Sequence, residues 1–182
     1  MRISWRASVP EETHRSYEVY REETRERFAV LLDTGAMSHA VDGHTMLRMS
    51  TAKIRKVIDA EVIAGLLRNN DILRFHVIHG PTGEIRQAAP IPLGQGIAGW
   101  VAEEGKPILL NGNVYEFPRF HKMYDCLIGC SLRSMLTVPL KAQDSTVLGI
   151  VQVVNKMQGG FSEDDIEFLL VWASMAGMAL EN

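Results

Sequence analysis

The sequence predicts an α+β fold, and three observations carry that prediction. Segments of strand type are separated by short helices rather than long ones, and the two longest helical patterns stand at the ends of the chain. The stretch Ser131–Leu170 reads strand, turn, strand, short loop and helix in immediate succession.

Taken in order, Met1–Val9 shows no period, and Ser8 followed by Pro10 and Glu11-Glu12 reads as a helix start. The helix is predicted to run to about Leu32, with Tyr17, Tyr20, Thr24, Phe28 and Leu31 at three- and four-residue spacing. Its other face, Arg21–Arg27, interleaves opposite charges and suits water. Asp33–Gly43 is a connector of small residues, after which Asp42 or Gly43 caps a helix over His44–Ala60 with Leu47, Ile54, Val57 and Ile58 as its core stripe. Glu61–Leu67 and Ile72–His79 read as strands around the turn Arg68–Asp71. Glu84–Leu93 is expected to be extended or irregular because of Pro90 and Pro92. Gln95–Glu104 is a short helix ended by Gly105, Pro107–Leu110 a short strand, and Asn111–Gly129 loop and short helix.

The next strand is expected to end at Pro139, which cannot donate to a ladder. Lys141–Thr146 has hairpin-turn chemistry, and Val147–Val154 is β-branched almost throughout, as a central strand is. Gly159-Gly160 breaks the chain, and Ser162 opens the last helix with Asp165 at capping-box spacing. Three acids in that first turn suit the positive end of the helix dipole.

With 182 residues, the chain can form one full core plus an extra helical segment. A net charge of −3 and the lack of a basic stripe exclude a nucleic-acid footprint. No apolar run reaches the length of a membrane span, and the N-terminus is too polar for a signal peptide. Cys126 and Cys130 make no disulfide framework and are expected to be small buried hydrophobes. A cytoplasmic setting without membrane or nucleic-acid partners is the expectation.

Asn155-Lys156, then Phe161, then Asp165 resembles the N-K…F-x-x-x-D-E signature of GAF domains of the cyclic-nucleotide phosphodiesterase and adenylyl cyclase type. Gly94–Ala102 is similar to that family's G-x-G-I-A-G-x-V-A segment. Pro118-Arg-Phe120, Asp125, Gly129 and Arg133–Leu140 are similar to its P-x-F…D…G…R-S-x-L-x-V-P-L run. The final Glu of the signature is Ile166 here. The resemblance spans about residues 43–182, leaving residues 1–42 as an N-terminal helical segment and connector. It implies a central antiparallel sheet, terminal helices packed on one face, and a ligand cleft under the connecting segments on the other.

It also implies roles. Lys156 and Asp165 form an ion pair tying the last strand to the last helix, a structural lock. The ligand set maps onto Asp125, onto Ile97 and Ala98 at the entry of the short helix, and onto Phe120 and His121. It continues at Ile128 and Leu132, where Thr is frequent, at Gln152 for a Glu, and at Val77 and Ile78 for an aromatic–acid pair. Much of the hydrogen-bonding inventory is thus apolar, which disfavours a charged purine phosphate and suits a more apolar ligand.

The residues leave alternatives open. Gly94-x-Gly96-x-x-Gly99 follows a proline-rich stretch and not a strand of a βαβ unit, which excludes a dinucleotide fingerprint. It serves either to aim helix amides at a ligand or simply to bring Ile97, Ala98 and Val101 into the core. Asp125 and His121 face either the cleft or water. No His or Cys set completes a metal site. The implied protein is a non-catalytic regulatory GAF domain that binds a small molecule such as cAMP or cGMP. It signals to an effector domain of cyclase, phosphodiesterase or kinase type through its terminal helices. A ligand-free dimerisation module is the alternative, and a free methionine sulfoxide reductase the enzymatic one, which lacks its third Cys here. The last helix, apolar on two sides, needs a cover. The N-terminal helix is an available cover, from the same chain or from a partner; a homodimer through the terminal helices, with Trp172 meeting its mate, is the expectation.

Overall fold

The computed structural model describes residues 11–80, 89–125 and 131–181, the side chains of 11–14 and Tyr17 excepted. Six strands, β1 (Ala60–Asn69), β2 (Ile72–His79), β3 (Ile91–Pro92), β4 (Ile108–Asn111), β5 (Ser134–Lys141) and β6 (Val147–Lys156), form one sheet. Its order is β3-β2-β1-β6-β5-β4, and every neighbouring pair is antiparallel. The helices α1 (Glu11–Met37), α2 (Gly43–Ile58) and α5 (Glu163–Glu181) cover one face. Helix α3 (Gly96–Glu104), a 3₁₀ turn at Val114–Glu116 and the single turn α4 (Lys122–Asp125) lie over the other. The expected α+β arrangement is therefore the observed one.

Alternation along the central strands builds the two cores. On β6, Val151 and Val153 point into the helical layer with Trp172, Leu169 and Ile54. Ile150 and Val154 point the other way, into a cluster with Ile97, Met135 and Val101. Period-2 placement of β-branched residues thus closes both faces of the sheet with one strand.

Helix ends follow local chemistry. The Asp42 carboxylate accepts the Thr45 amide at 2.9 Å and opens α2. Ser162 and Asp165 cap α5 reciprocally: the Ser162 amide donates to Oδ2 at 2.9 Å and the Asp165 amide to Ser162 Oγ at 3.2 Å. The capping box works with Asp in place of Glu. Gly105, at φ 64°, closes α3.

Two expectations need correction. Helix α1 runs to Met37 rather than Leu32, because Val30 and Thr34 are buried against the domain and packing carries the helix on. β5 continues through Pro139 to Lys141. On that side β4 pairs only with Ser134–Thr137, so the proline sits at an open edge where no donor is required. Ile91–Pro92, in the stretch expected to be extended or irregular, is extended and pairs with Leu73 and Ile72 as a short edge strand.

Helix α5 also departs from expectation. Trp172 is fully buried within the single chain, beside Phe168, Leu169 and Ala176. The second apolar side of α5 is covered largely by α1 and α2, so Trp172 is a core residue and no meeting point for a second copy. Val171 and Met178 are the large apolar side chains that α5 leaves exposed.

Candidate ligand face and signature lock

The entry of α3 is built around a carboxylate. Gly96 takes φ 65°, and a Cβ there would stand 3.0 Å from both carboxylate oxygens of Asp125. Absence of that Cβ lets Asp125, 1% exposed, reach the helix start. The Ile97 amide donates to Oδ1 at 3.0 Å and the His121 amide to Oδ2 at 2.7 Å. Burial pushes the Asp125 carboxyl above the usual carboxylate range, more than these amides and the neighbouring His121 pull it back. Asp125 and the Ile97 amide, both expected at the ligand, satisfy each other in the closed chain.

Around this pair the structure gathers most of the expected ligand residues on one side of the sheet. Ile97, Ala98 and Leu132 are buried in the second core cluster, with Ile78 and Phe120 packed against it. Phe120 meets Tyr115 edge-on at 5.2 Å, and the Tyr115 hydroxyl accepts the Leu132 amide at 2.8 Å. Gln152 lies on this face between Ile150 and Val154 and is buried; its Nε2 donates to Thr137 Oγ1 at 3.3 Å. His121 stands exposed at the rim, its ring 4.7 Å from Tyr124.

Two positions fall elsewhere. Val77 sits in the helical core beside Leu47, on the opposite face. The cause is a β-bulge: Gly65 pairs with Val77 but Leu66 with Phe75, so His76 is skipped and the alternation flips. Ile128 lies outside the described residues, as do Cys126 and Cys130. Among the described residues no group of three or more His, Cys, Asp or Glu can hold a metal ion.

The signature residues form a second constellation. Asp165, with no exposed surface, accepts Lys156 Nζ from β6 and Arg27 Nη2 from α1. Burial, the largest single influence, raises its carboxyl. The Lys156 hydrogen bond, the Ser162 amide and the charges of Lys156 and Arg27 together hold it below the usual range. Asn155, at φ 57°, accepts the Arg133 amide at 2.7 Å and donates to the Ser131 carbonyl at 2.7 Å and to Glu61 at 2.9 Å. Asn111 clamps Phe161, accepting its amide at 2.8 Å and donating to its carbonyl at 2.9 Å.

Sequence reasoning missed Arg27, Asn111, Tyr115 and the partner role of Thr137. Arg27 was expected on the water-facing side of α1, yet it stands three residues before Val30 and seven before Thr34, the positions of that helix that are buried, and it turns inward with them. The contacts of Asn111 span 50 residues and leave no local trace.

Residues 42–180 match the GAF domain family. A dual 3′,5′-cyclic-AMP and -GMP phosphodiesterase 11A from Takifugu rubripes is 31% identical over 121 residues, 61% of this chain and 13% of that protein. A dual phosphodiesterase 11 from Drosophila melanogaster is 38% identical over 90 residues, 49% of this chain and 6% of that protein. The chain thus spans a small fraction of these relatives. Among solved structures, the GAF domain of a phosphoenolpyruvate-protein phosphotransferase from Coxiella burnetii superimposes with a TM-score of 0.74 at 16% identity, covering 86% of this chain and 94% of that one. A free methionine-R-sulfoxide reductase from Neisseria meningitidis gives 0.69 at 20% identity, covering 85% and 88%. The fold, the ordered motifs and a match over most of its length place this chain in the GAF domain family.

Proposed function

We propose that this chain is a non-catalytic regulatory GAF module that binds a cyclic nucleotide on the α3–α4 face. It passes the signal through its terminal helices to an effector domain, as a cytoplasmic homodimer. The observation that carries the reading is the likeness to two dual cyclic-AMP and -GMP phosphodiesterases, confined to the GAF part of each. Ile97, Ala98, Phe120, His121, Asp125, Leu132, Gln152 and Ile78 are the proposed contacts, and Val77 and Ile128 are kept only as expectations from the motif. Because the Asp125 carboxylate already holds the Ile97 and His121 amides, a ligand must open this contact or share it. None of the described helices is long and apolar enough to cross a membrane.

The test is thermal unfolding with cAMP and with cGMP. Binding at a hundredfold excess over Kd contributes about 2.7 kcal/mol, which raises Tm by about 5–10 °C in a domain of this size. The shift is expected to grow with the logarithm of ligand concentration. No shift with either nucleotide at saturation favours the ligand-free module, a reading supported by the complete burial of Ile97 of α3 and of Met135 and Ile150 beneath it. Thiol-dependent turnover of methionine sulfoxide is expected to be nil, and measurable turnover would overturn the non-catalytic assignment.

A further inference from the structure

Histidines gather where α2 meets β2. The rings of His44, in the first turn of α2, and His76 of β2 stand 4.8 Å apart and are tilted by 56°. Both residues are exposed. His76 Nε2 lies 3.4 Å from the His44 carbonyl oxygen, and His79 Nε2 lies 3.1 Å from the Arg48 carbonyl oxygen one helical turn on. A carbonyl only accepts, so in each contact Nε2 carries the proton and Nδ1 carries the lone pair.

The backbone puts His76 there. Gly65 pairs with Val77 and Leu66 with Phe75, so His76 bulges from the β1–β2 ladder without a partner residue. A Cβ at Gly65 would stand 2.8 Å from Val77 Cγ1, so glycine lets the strands close on this bulge. Released from the ladder, His76 brings its ring back to the start of α2.

We propose that His44 and His76 are the protein ligands of a divalent transition-metal ion that staples the first turn of α2 to β2. Zinc, nickel and copper are the ions that suit imidazole. With a metal–nitrogen bond of about 2.1 Å, two imidazoles on one ion at a near-tetrahedral angle have centres about 5 Å apart, close to the spacing found. Metal-ligating histidines commonly give their other ring N–H to a backbone carbonyl. His76 makes that bond to His44 and keeps Nδ1 as the donor atom.

Charge around the pair selects the kind of ion. Asp42, whose carboxylate caps α2 through the Thr45 amide, favours a cation beside His44. Arg48, one turn past His44, and Arg74, two residues before His76, are exposed and oppose one, as does the positive end of α2. With the field mixed, the nitrogen–metal bonds carry the binding. Hard ions that need oxygen ligands, such as magnesium and calcium, gain nothing here. Two protein ligands leave the rest of the shell to water, so the site is open and exchanges its ion more readily than a three- or four-residue centre. It lies beside α2, across the sheet from α3 and α4, and goes beyond the function proposed above without resting on it.

Zinc titration of the full chain, read by its imidazole nitrogen signals in NMR, tests this. The His44 and His76 signals are expected to move in one shared transition, with the change at Nδ1 of His76 while Nε2 keeps its proton. His44→Ala and His76→Ala should each weaken the binding felt at the remaining ring by roughly tenfold or more, at least the loss that removing an outer partner brings. Both residues are exposed, so the variants should keep their far-UV circular dichroism. Zinc should raise the Tm of the wild type by more than that of either variant, and magnesium should move neither ring. Rings that respond separately, or a His76 transition that survives His44→Ala unchanged, would mean an adventitious ion only and overturn the proposal. So would two silent rings at millimolar zinc, or an equal gain in Tm for all three proteins. No outcome here depends on the cyclic-nucleotide experiment, so either reading can fail alone.

Discussion

Two buried aspartates share a residue type and part company in electrostatics. Asp165 has two cations within reach, and its carboxyl is held below 3.8 despite its burial. Its contribution to stability is therefore present above pH 3.8 and is lost as pH falls through the lower folded-state value. Asp165→Asn strands Arg27 and Lys156 and should cost about 3–5 kcal/mol at neutral pH, with a flatter acid limb. Urea unfolding above and below that window checks both, and an unchanged neutral midpoint would remove the three-residue cluster as a support. Asp125 has amides for partners, and burial lifts its carboxyl above 3.8. The sign reverses: the folded state holds the proton more tightly, so stability rises as pH falls through the folded-state value toward 3.8. Asp125→Asn should abolish that rise. Asp125→Ala, which leaves the Ile97 and His121 amides unpaired, should cost about 1–3 kcal/mol at neutral pH. Denaturant titrations across this range decide the matter, and parallel pH profiles for wild type and Asp125→Asn would sink the assignment.

At the scale of elements, the legible features were those written within a dozen residues. The Ser162–Asp165 capping box, the Asp42 cap, the Gly105 stop and the β-branched run of β6 each follow from neighbouring residues and match the structure. Features that depend on what packs alongside were hidden. Pro139 reads as a strand end until the short reach of β4 shows that its side of β5 is an edge. Val77 reads as part of the ligand face until the bulge opposite Gly65 and Leu66 flips it. Gly177 offers a test of packing against propensity. Alanine is worth about 1 kcal/mol over glycine in an exposed helix interior. Here a Cβ would lie 2.0 Å from the Lys141 carbonyl oxygen, and backbone cannot swing aside. Overpacking typically costs 1–3 kcal/mol, roughly, and a backbone clash sits at the upper end. Gly177→Ala should therefore lower Tm although it improves the helix sequence. A higher Tm would show that α5 and the β5–β6 turn can separate freely.

Over the whole molecule, the two faces of the sheet hold different kinds of core. The helical face joins α1, α2 and α5 through Ile54, Leu169 and Trp172. The opposite face packs α3 on Met135 and Ile150 and keeps its buried polar groups, Asp125, Thr137 and Gln152, among apolar neighbours. That most of the expected ligand residues gather on that second face was legible, because motif order fixes which segments meet there. The state of the site was not, because whether Asp125 is open or engaged depends on the Ile97 amide, 28 residues away. The place of α1 raises the same question on a larger scale. From sequence it stands apart as a segment before residue 43, yet Val30 and Thr34 are buried and Arg27 reaches the Asp165 cluster. Deleting residues 1–42 would remove those contacts, strip one cation from Asp165, and uncover Leu47, Phe168 and Trp172 in part. We expect residues 43–182 alone to unfold at a lower urea concentration than the full chain, to bind a hydrophobic dye, and to lose more stability than Arg27→Gln does. Equal unfolding midpoints for the two chains would mean that α1 is a passenger on the domain and that the buried positions on it carry no weight.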